Sequence, residues 1–358
     1  MDMICYETFC SSEGEGGMNI QAAISEVIDG HSLSTDQMVA VMQQIMTGEC
    51  SDAQIAGFLV ALRMKGETVD EITGAAKVMR KLATGVAVSG SHLVDIVGTG
   101  GDGIGTFNIS TASTFVVAAA GGQVAKHGNR SVSSKSGAAD LLEAAGVRLD
   151  LTAEEVTRCV DTVGVGFMFA LNHHSAMKHA IGPRKELATR TIFNLLGPIT
   201  NPAGVPNQLL GVYSRQWVRP IAEVLRDLGS DHVLVVHSAD GLDEISIADK
   251  TYVAELRDGN IKEYTIEPEQ FGMNRASLDQ LKVESAEQSL AVIKKLLAGA
   301  ESPAADIVAL NAGAAIYVAN IASSLEQGVV MAQDILASGT ASEKLKELAL
   351  TTQTMKTL

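Results

Sequence analysis

The sequence predicts an α/β protein: a small N-terminal helical domain followed by a larger α/β domain with a mostly parallel central sheet. Three observations carry this. Residues 19–83 show capping signals and apolar residues at helical spacing, with no strand pattern. Beyond them, short apolar runs bounded by glycine alternate with helical segments. The composition, 46% apolar and 19% charged over 358 residues, supplies a large core, leaves little room for disorder and fits about two domains.

The elements follow in order. Ser34 with Gln37, Ser51 with Gln54, and Thr68 with Glu71 are capping-box pairs, each opening an apolar pattern of helical period. Gly66 closes the second of these helices. The run Leu93 to Val97 reads as a buried strand. A helix from Ala112 to Ala120, a strand from Gln123 to Ala125 and a helix from Ser136 to Ala145 follow. Val163 to Ala170, Gln208 to Tyr213 and His232 to His237 read as strands. Arg215 to Leu228 reads as a helix with Pro220 near its first turn, where its missing N–H does no harm. Thr251 to Leu256 and Ile261 to Thr265 form a hairpin turning at Asp258-Gly259-Asn260, and the chain from Ala286 onward is helical. The uncharged stretch Ile307 to Leu325 is interrupted by Asn311, Gly313, Asn320, Ser323 and Ser324, which predicts a core helix rather than a membrane span.

A net charge of −15 with no cluster of Lys and Arg argues against a nucleic-acid groove. Small phosphorylated ligands need only local cations or a metal. Cys5, Cys10, Cys50 and Cys159 form no CxxC or zinc pattern, as expected of a reduced cytoplasmic protein. The first 17 residues have no signal-peptide pattern and predict a polar, mobile leader, with Met18 a candidate natural start.

Four segments carry chemistry. In Asp95 to Thr111, five of the eight residues from Gly98 to Gly105 are glycine. A glycine-rich turn between strand and helix lets backbone amides and a helix N-terminus face an anion. The Walker pattern is absent, and Gly98-Thr-Gly-Gly-Asp-Gly103 lacks the acidic ribose-binding residue of a dinucleotide fold, since position 123 is Gln. Lys126 to Ser134, just past a strand, places Lys126 and Arg130 among hydroxyls, as phosphate oxygens would require; an ordinary solvated basic loop is the alternative. Between Asn172 and Glu186, His173, His174 and His179 have no zinc spacing. Arg184 suits a carboxylate, with a surface ion pair as its plainer reading. Asp243 and Glu244, following a strand, could hold Mg²⁺ or simply face solvent.

Taken together, the GTGGD loop, the segment Asn108 to Thr111, KHGNR, the Arg184 region, Arg190 to Pro202 and GLDE resemble the anthranilate phosphoribosyltransferase family over nearly the whole chain from Met18. The resemblance implies a nucleoside-phosphorylase-like fold, with residues 18–85 as the helical domain, completed by a helical segment near 183–200, and 86–358 as the catalytic domain. It implies phosphoribosyl pyrophosphate on Gly98, Gly101, Asp102, Thr106, Asn108, Ile109, Ser110 and Thr111, and on Lys126, His127, Gly128, Asn129, Arg130, Ser131, Val132, Ser133 and Ser134, with Ala138 in contact through backbone or methyl. Ser110, Asp243 and Glu244 match Mg²⁺ ligands, for two ions. Asn129 and Arg184 match anthranilate contacts. No side chain is assigned as acid or base. A homodimer in the cytoplasm, without nucleic-acid or membrane partners, is implied. The rivals are a pyrimidine-nucleoside phosphorylase, which would need a different base pocket from KHGNR and Arg184, and a non-catalytic nucleic-acid-binding relative, which the charge disfavours.

Overall fold

The computed structural model describes residues 17–130 and 136–355. The expected leader and the called residues Ser131, Val132, Ser133 and Ser134 lie outside the described residues, apart from Gly17 of the leader.

Four helices open the described chain: α1 (Ile20–Ile28), α2 (Thr35–Thr47), α3 (Asp52–Lys65) and α4 (Val69–Leu82). The capping boxes expected at Ser34, Ser51 and Thr68 all form, each hydroxyl accepting from the N3 amide while the N3 side chain reaches back. Glu71 does more than cap. Its fully buried carboxylate also accepts from Leu33 N at 2.9 Å and pairs with Lys65 Nζ at 3.0 Å, tying three helix ends together.

The second part alternates: β1 (Leu93–Gly98), α5 (Ile109–Ala119), β2 (Gln123–Gly128), α6 (Ala138–Ala144), α7 (Ala153–Val163), β3 (Val165–Phe169), α8 (Ala170–His173), α9 (Lys178–Leu187), α10 (Phe193–Ile199), β4 (Asn207–Gly211), α11 (Val218–Asp227), β5 (His232–Ser238), β6 (Thr251–Arg257) and β7 (Asn260–Ile266), then α12 (Ala286–Leu297), α13 (Pro303–Val318), α14 (Leu325–Ser338) and α15 (Ala341–Thr354). The sheet has order β3-β2-β1-β4-β5-β6-β7, parallel from β3 to β5 and antiparallel through the closing hairpin.

Several boundaries differ from expectation by a few residues, and two of them bear on the site. The first helix of the sheet domain starts at Ile109, because Asn108 Oδ1 caps it by accepting from Thr111 N at 3.0 Å. The strand expected to end at Ala125 runs on to Gly128, because Lys126, His127 and Gly128 pair with Phe167, Met168 and Phe169 of β3.

Side chains alternate across the sheet and feed two cores. Leu209, Leu234 and Val236 join α5 and α13 on one face; the uncharged stretch expected to be a core helix is helical as far as Val318, and α14 begins at Leu325. Leu210, Val212, Val233 and Val235 join α11 and the four N-terminal helices on the other. Helix α9 packs on α2 and α3, and α10 packs on α4. Connections at three places stitch the helical unit to the sheet: Thr84 N donates to His173 O at 2.8 Å, Val86 N to Pro202 O at 3.1 Å, and Arg80 Nε to Ile199 O at 2.8 Å. Among the described residues no helix is long and apolar enough to cross a membrane.

Candidate active site

The strand order reverses between β1 and β4. The connections leaving their carboxyl ends therefore part to opposite sides and leave a crevice, the place where open α/β sheets bind ligands. Gly98 and Gly211 end the two strands as register partners. Neither can carry a side chain. A Cβ on Gly98 would lie 2.6 Å from Asp243 Oδ2, and one on Gly211 would lie 1.5 Å from the Asp243 carbonyl oxygen. This pair of glycines is what lets Asp243 settle across the strand ends, 8% exposed, with Oδ2 accepting from Gly100 N at 2.6 Å. The acidic pair is thus built into the crevice rather than left on a surface loop.

Asp102, from the glycine loop, meets Asp243 there. Burial raises the pKa of Asp102. Burial, then repulsion from Asp102, pushes Asp243 up to about 6. Burial, then repulsion from Asp243, pushes Glu244 up to about 8, against the pull of Lys126 and the Ser110 amide. Three carboxylates converging with little compensating charge fit a divalent cation. No ready-made group of metal ligands is assembled among the described residues. Mg²⁺ does not need one, since it is commonly held by one or two carboxylates, waters and substrate phosphate.

The loop between Gly98 and Asn108 is pinned at both ends. Thr99 N donates to Gly211 O at 2.9 Å, and Tyr213 N donates to Thr99 Oγ1 at 2.9 Å. At the far end Thr106 bridges to Lys282, Phe107 N donates to Leu281 O, and Asn108 N donates to Ser289 Oγ at 3.0 Å. Gly100, Gly101, Gly103 and Gly105 take positive φ between these anchors, which turns successive amides without side-chain clash.

The other called residues divide. Lys126 is buried within strand β2 and not past it; its ammonium donates to Ile96 O and, at 3.2 Å, to Ser110 Oγ. Burial lowers its pKa, while Asp95 and Glu244 hold it up. Ser110 is half-buried beside it, but Ile109 and Thr111 point into the core, so any ligand contact there must be through their amides. His127 is buried with its ring 5.1 Å from His174; burial first, then the two neighbouring histidines, holds its pKa down to about 3. Its Nε2 has no partner among the described residues. Gly128 lies under Phe167 and Ala138, where a Cβ would be 2.9 Å from the phenylalanine ring. Asn129 Oδ1 accepts from Arg130 N at 2.8 Å, and its carbonyl accepts from Ala139 N. Arg130 turns toward α6, donating to Asp140 at 3.0 Å and Glu143 at 2.7 Å. Arg184 sits half-buried on α9, its guanidinium 5.1 Å from the centre of the Phe193 ring, with no ion pair among the described residues. The surface ion pair considered for it does not form there.

Nothing in the sequence marks Arg190 as a site residue. Its guanidinium donates to the Gly101 carbonyl and lies 4.2 Å from the centre of the Tyr213 ring, while Arg63 of α3 donates to the Arg190 carbonyl. It therefore links the helical unit to the glycine loop. Only its neighbourhood in the Arg190 to Pro202 segment hinted at this.

The chain matches two family models: "Glycosyl transferase family, helical bundle domain" over residues 21–83, and "Glycosyl transferase family, a/b domain" over residues 90–342. It is 62% identical over 335 residues to the anthranilate phosphoribosyltransferase of Saccharophagus degradans, covering 92% of this chain and 98% of that one. It is 64% identical to that of Chromohalobacter salexigens, covering 93% and 96%. Among solved structures it is similar to the anthranilate phosphoribosyltransferase of Thermus thermophilus, at TM-score 0.88 and 44% identity, covering 92% of this chain and 99% of that one. It is also similar to the Saccharomyces cerevisiae enzyme in complex with phosphoribosyl pyrophosphate and Mg, at TM-score 0.86 and 25% identity, covering 94% and 98%.

Proposed function

The chain belongs to the anthranilate phosphoribosyltransferase family, and from that premise we propose that it transfers the phosphoribosyl group of 5-phosphoribosyl 1-pyrophosphate to the amine of anthranilate, giving N-(5-phosphoribosyl)anthranilate and pyrophosphate in L-tryptophan biosynthesis. The observation that carries this is the crevice at the strand reversal, where a glycine loop, Lys126 and the Asp102, Asp243 and Glu244 carboxylates surround one spot.

The donor's pyrophosphate is placed against the amides of Gly98 to Asp102 and the start of α5, with Ser110 and Lys126 beside it. Asp243 and Glu244, with Ser110, are the residues proposed to hold Mg²⁺, as two ions, which when bound would supply charge neutralisation for the departing pyrophosphate. Anthranilate's amine is neutral at pH 7 and weakly nucleophilic, so its lone pair needs no base to expose it. Positioning and leaving-group stabilisation therefore carry the rate. Arg184 takes the carboxylate and Asn129 the amine. A guanidinium with no ion pair among the described residues is available for a bidentate contact. Exclusion of water at the crevice protects the electron-poor ribose carbon from hydrolysis.

The domain division follows the same reading: residues 18–85 with the helical segment near 183–200 form the small domain, and 86–358 the catalytic one. A cytoplasmic homodimer is part of the proposal, checked by light scattering in solution. The activity is tested by following anthranilate fluorescence. Its loss should require both phosphoribosyl pyrophosphate and Mg²⁺; no loss with both present overturns the assignment.

A further inference from the structure

We propose that Asp95 and Asn201 are positioning residues for the donor site. They bridge the seam between β1 and β2 where the ladder stops, and so fix where Lys126 and His127 stand against the glycine loop. The inference rests on the donor reading above.

The seam is visible in the register. The β1–β4 ladder runs to its last pair, Gly98↔Gly211, and the β2–β3 ladder to Gly128↔Phe169. The ladder between β1 and β2 holds only at Leu93↔Gln123 and Val94↔Val124, then stops. Beyond that point the two strands that lead into the two phosphate-facing segments no longer pair through their backbones. Backbone groups left without a ladder inside a protein must find other partners.

Side chains supply them. Asp95 Oδ1 accepts from His127 N at 3.3 Å. Asn201 Nδ2 donates both to Asp95 Oδ2 at 2.8 Å and to the Ala125 carbonyl at 2.9 Å. Lys126 Nζ donates to the Ile96 carbonyl. Asn201 is itself fixed, its Oδ1 accepting from Ala203 N at 2.8 Å. The inserted carboxylate is fully buried and Asn201 is 4% exposed.

An apolar strand pair would close the ladder at lower cost than a buried carboxylate, which is expensive unless paired and hydrogen-bonded. The arrangement has a geometric consequence that a closed ladder would not have. It ties the two strands through side chains instead of a ladder, with the Lys126 ammonium within 3.2 Å of Ser110 Oγ at the first turn of α5. Neither Asp95 nor Asn201 touches the donor; they act through Lys126 and the His127 backbone.

The test separates positioning from stability. Asp95→Asn keeps the shape but removes the charge and sets an amide against the Asn201 amide. Asn201→Ala removes the bridge. Asn207→Ala is the control, since Asn207 is equally buried and its Nδ2 donates to Leu93 O at 2.9 Å at the opposite end of the same strand. For each variant the melting temperature, the Kd of phosphoribosyl pyrophosphate with Mg²⁺ by calorimetry, and both KM values are measured. Asp95→Asn and Asn201→Ala should weaken donor binding about tenfold or more while the anthranilate KM stays within about twofold. Asn207→Ala should lower the melting temperature comparably and leave donor binding unchanged. If all three variants lose stability alike and donor binding does not move, the pair is only structural. Should Asp95→Asn fail to fold, Asn201→Ala carries the comparison. Absence of donor binding by the unaltered protein overturns the donor reading itself, and this inference with it.

Discussion

The two sides of the proposed site are made of different material. The donor side is made of strand ends and the loop between them, pinned by Thr99, Tyr213, Thr106, Phe107 and Asn108 to the end of β4, to the segment before α12 and to α12 itself. Arg184, the residue proposed for the acceptor, is carried on α9, which packs on α2 and α3 and so belongs with the helical unit. Backbone hydrogen bonds fix the first in the frame of the sheet. Side-chain packing fixes the second in the frame of the helices, and Arg190 with Arg63 is the strut between the frames. The difference teaches that donor geometry is sensitive to single atoms, whereas the acceptor cation would travel as part of a body in any closing motion.

Substitutions on the donor side should therefore cost most. Asp243→Asn with Glu244→Gln should lower Mg²⁺-dependent turnover by about 1,000-fold, the scale of losing preorganised charge at a leaving group. Retained turnover with retained metal dependence would return the pair to the surface. Gly211→Ala should lower kcat by about 100-fold, since its Cβ would sit 1.5 Å from the Asp243 carbonyl oxygen and misplacement of about 1 Å costs that much. Gly197→Ala on α10, where nothing lies within 4 Å of the added carbon, is the matched acceptor-side change and should leave kcat near wild type. Equal losses at the two glycines would dissolve the contrast. Arg184→Ala should raise the anthranilate KM by about tenfold or more, the worth of a charge-assisted contact, and leave the donor KM unchanged. An unchanged anthranilate KM removes Arg184 from the site.

The smallest effect is in stability. Glu244 at about 8 and Asp243 at about 6 bind protons in the folded state that the unfolded chain, titrating near 4, has released. Their contribution to stability falls as pH rises through those folded values. His127 at about 3 and His174 at about 4 act in the opposite sense: stability is lost as pH falls below about 6.5, where only the unfolded imidazoles take up protons. Between about pH 6.5 and 8 Glu244 therefore dominates the slope, and the melting temperature of metal-free protein should fall by a few degrees (about 1 kcal/mol is ~1–2 °C for a chain of this length). Glu244→Gln should flatten that fall, and Mg²⁺ should stabilise more at pH 8 than at pH 6. Thermal scans across that range in chelator and in excess Mg²⁺ decide it.

Local chemistry was legible wherever a signal is local. The capping boxes at Ser34, Ser51 and Thr68, the stop at Gly66 and the turn at Asp258-Gly259 each involve neighbours in sequence, and each forms. The glycine loop was legible because five glycines in eight residues have few other uses. Burial of Ile109 and Thr111, the turn of Arg130 toward α6 and the role of Gly211 were not, because each depends on a partner from another element.

By itself, then, the sequence determined the element types, the loop, and the residues proposed to handle a phosphorylated donor, since helix caps, strand periodicity and glycine tolerance are properties of short stretches of chain. Only the tertiary structure decided that β1 and β4 would stand at the strand reversal, that Asp102 and Asp243 would meet, and that Asp95 and Asn201 would occupy a seam where a ladder should be. Those are contacts between residues separated by 141 positions in the first carboxylate pair and 106 in the second pair. No local pattern encodes such contacts, because it is burial of two sheet faces that brings the pieces together.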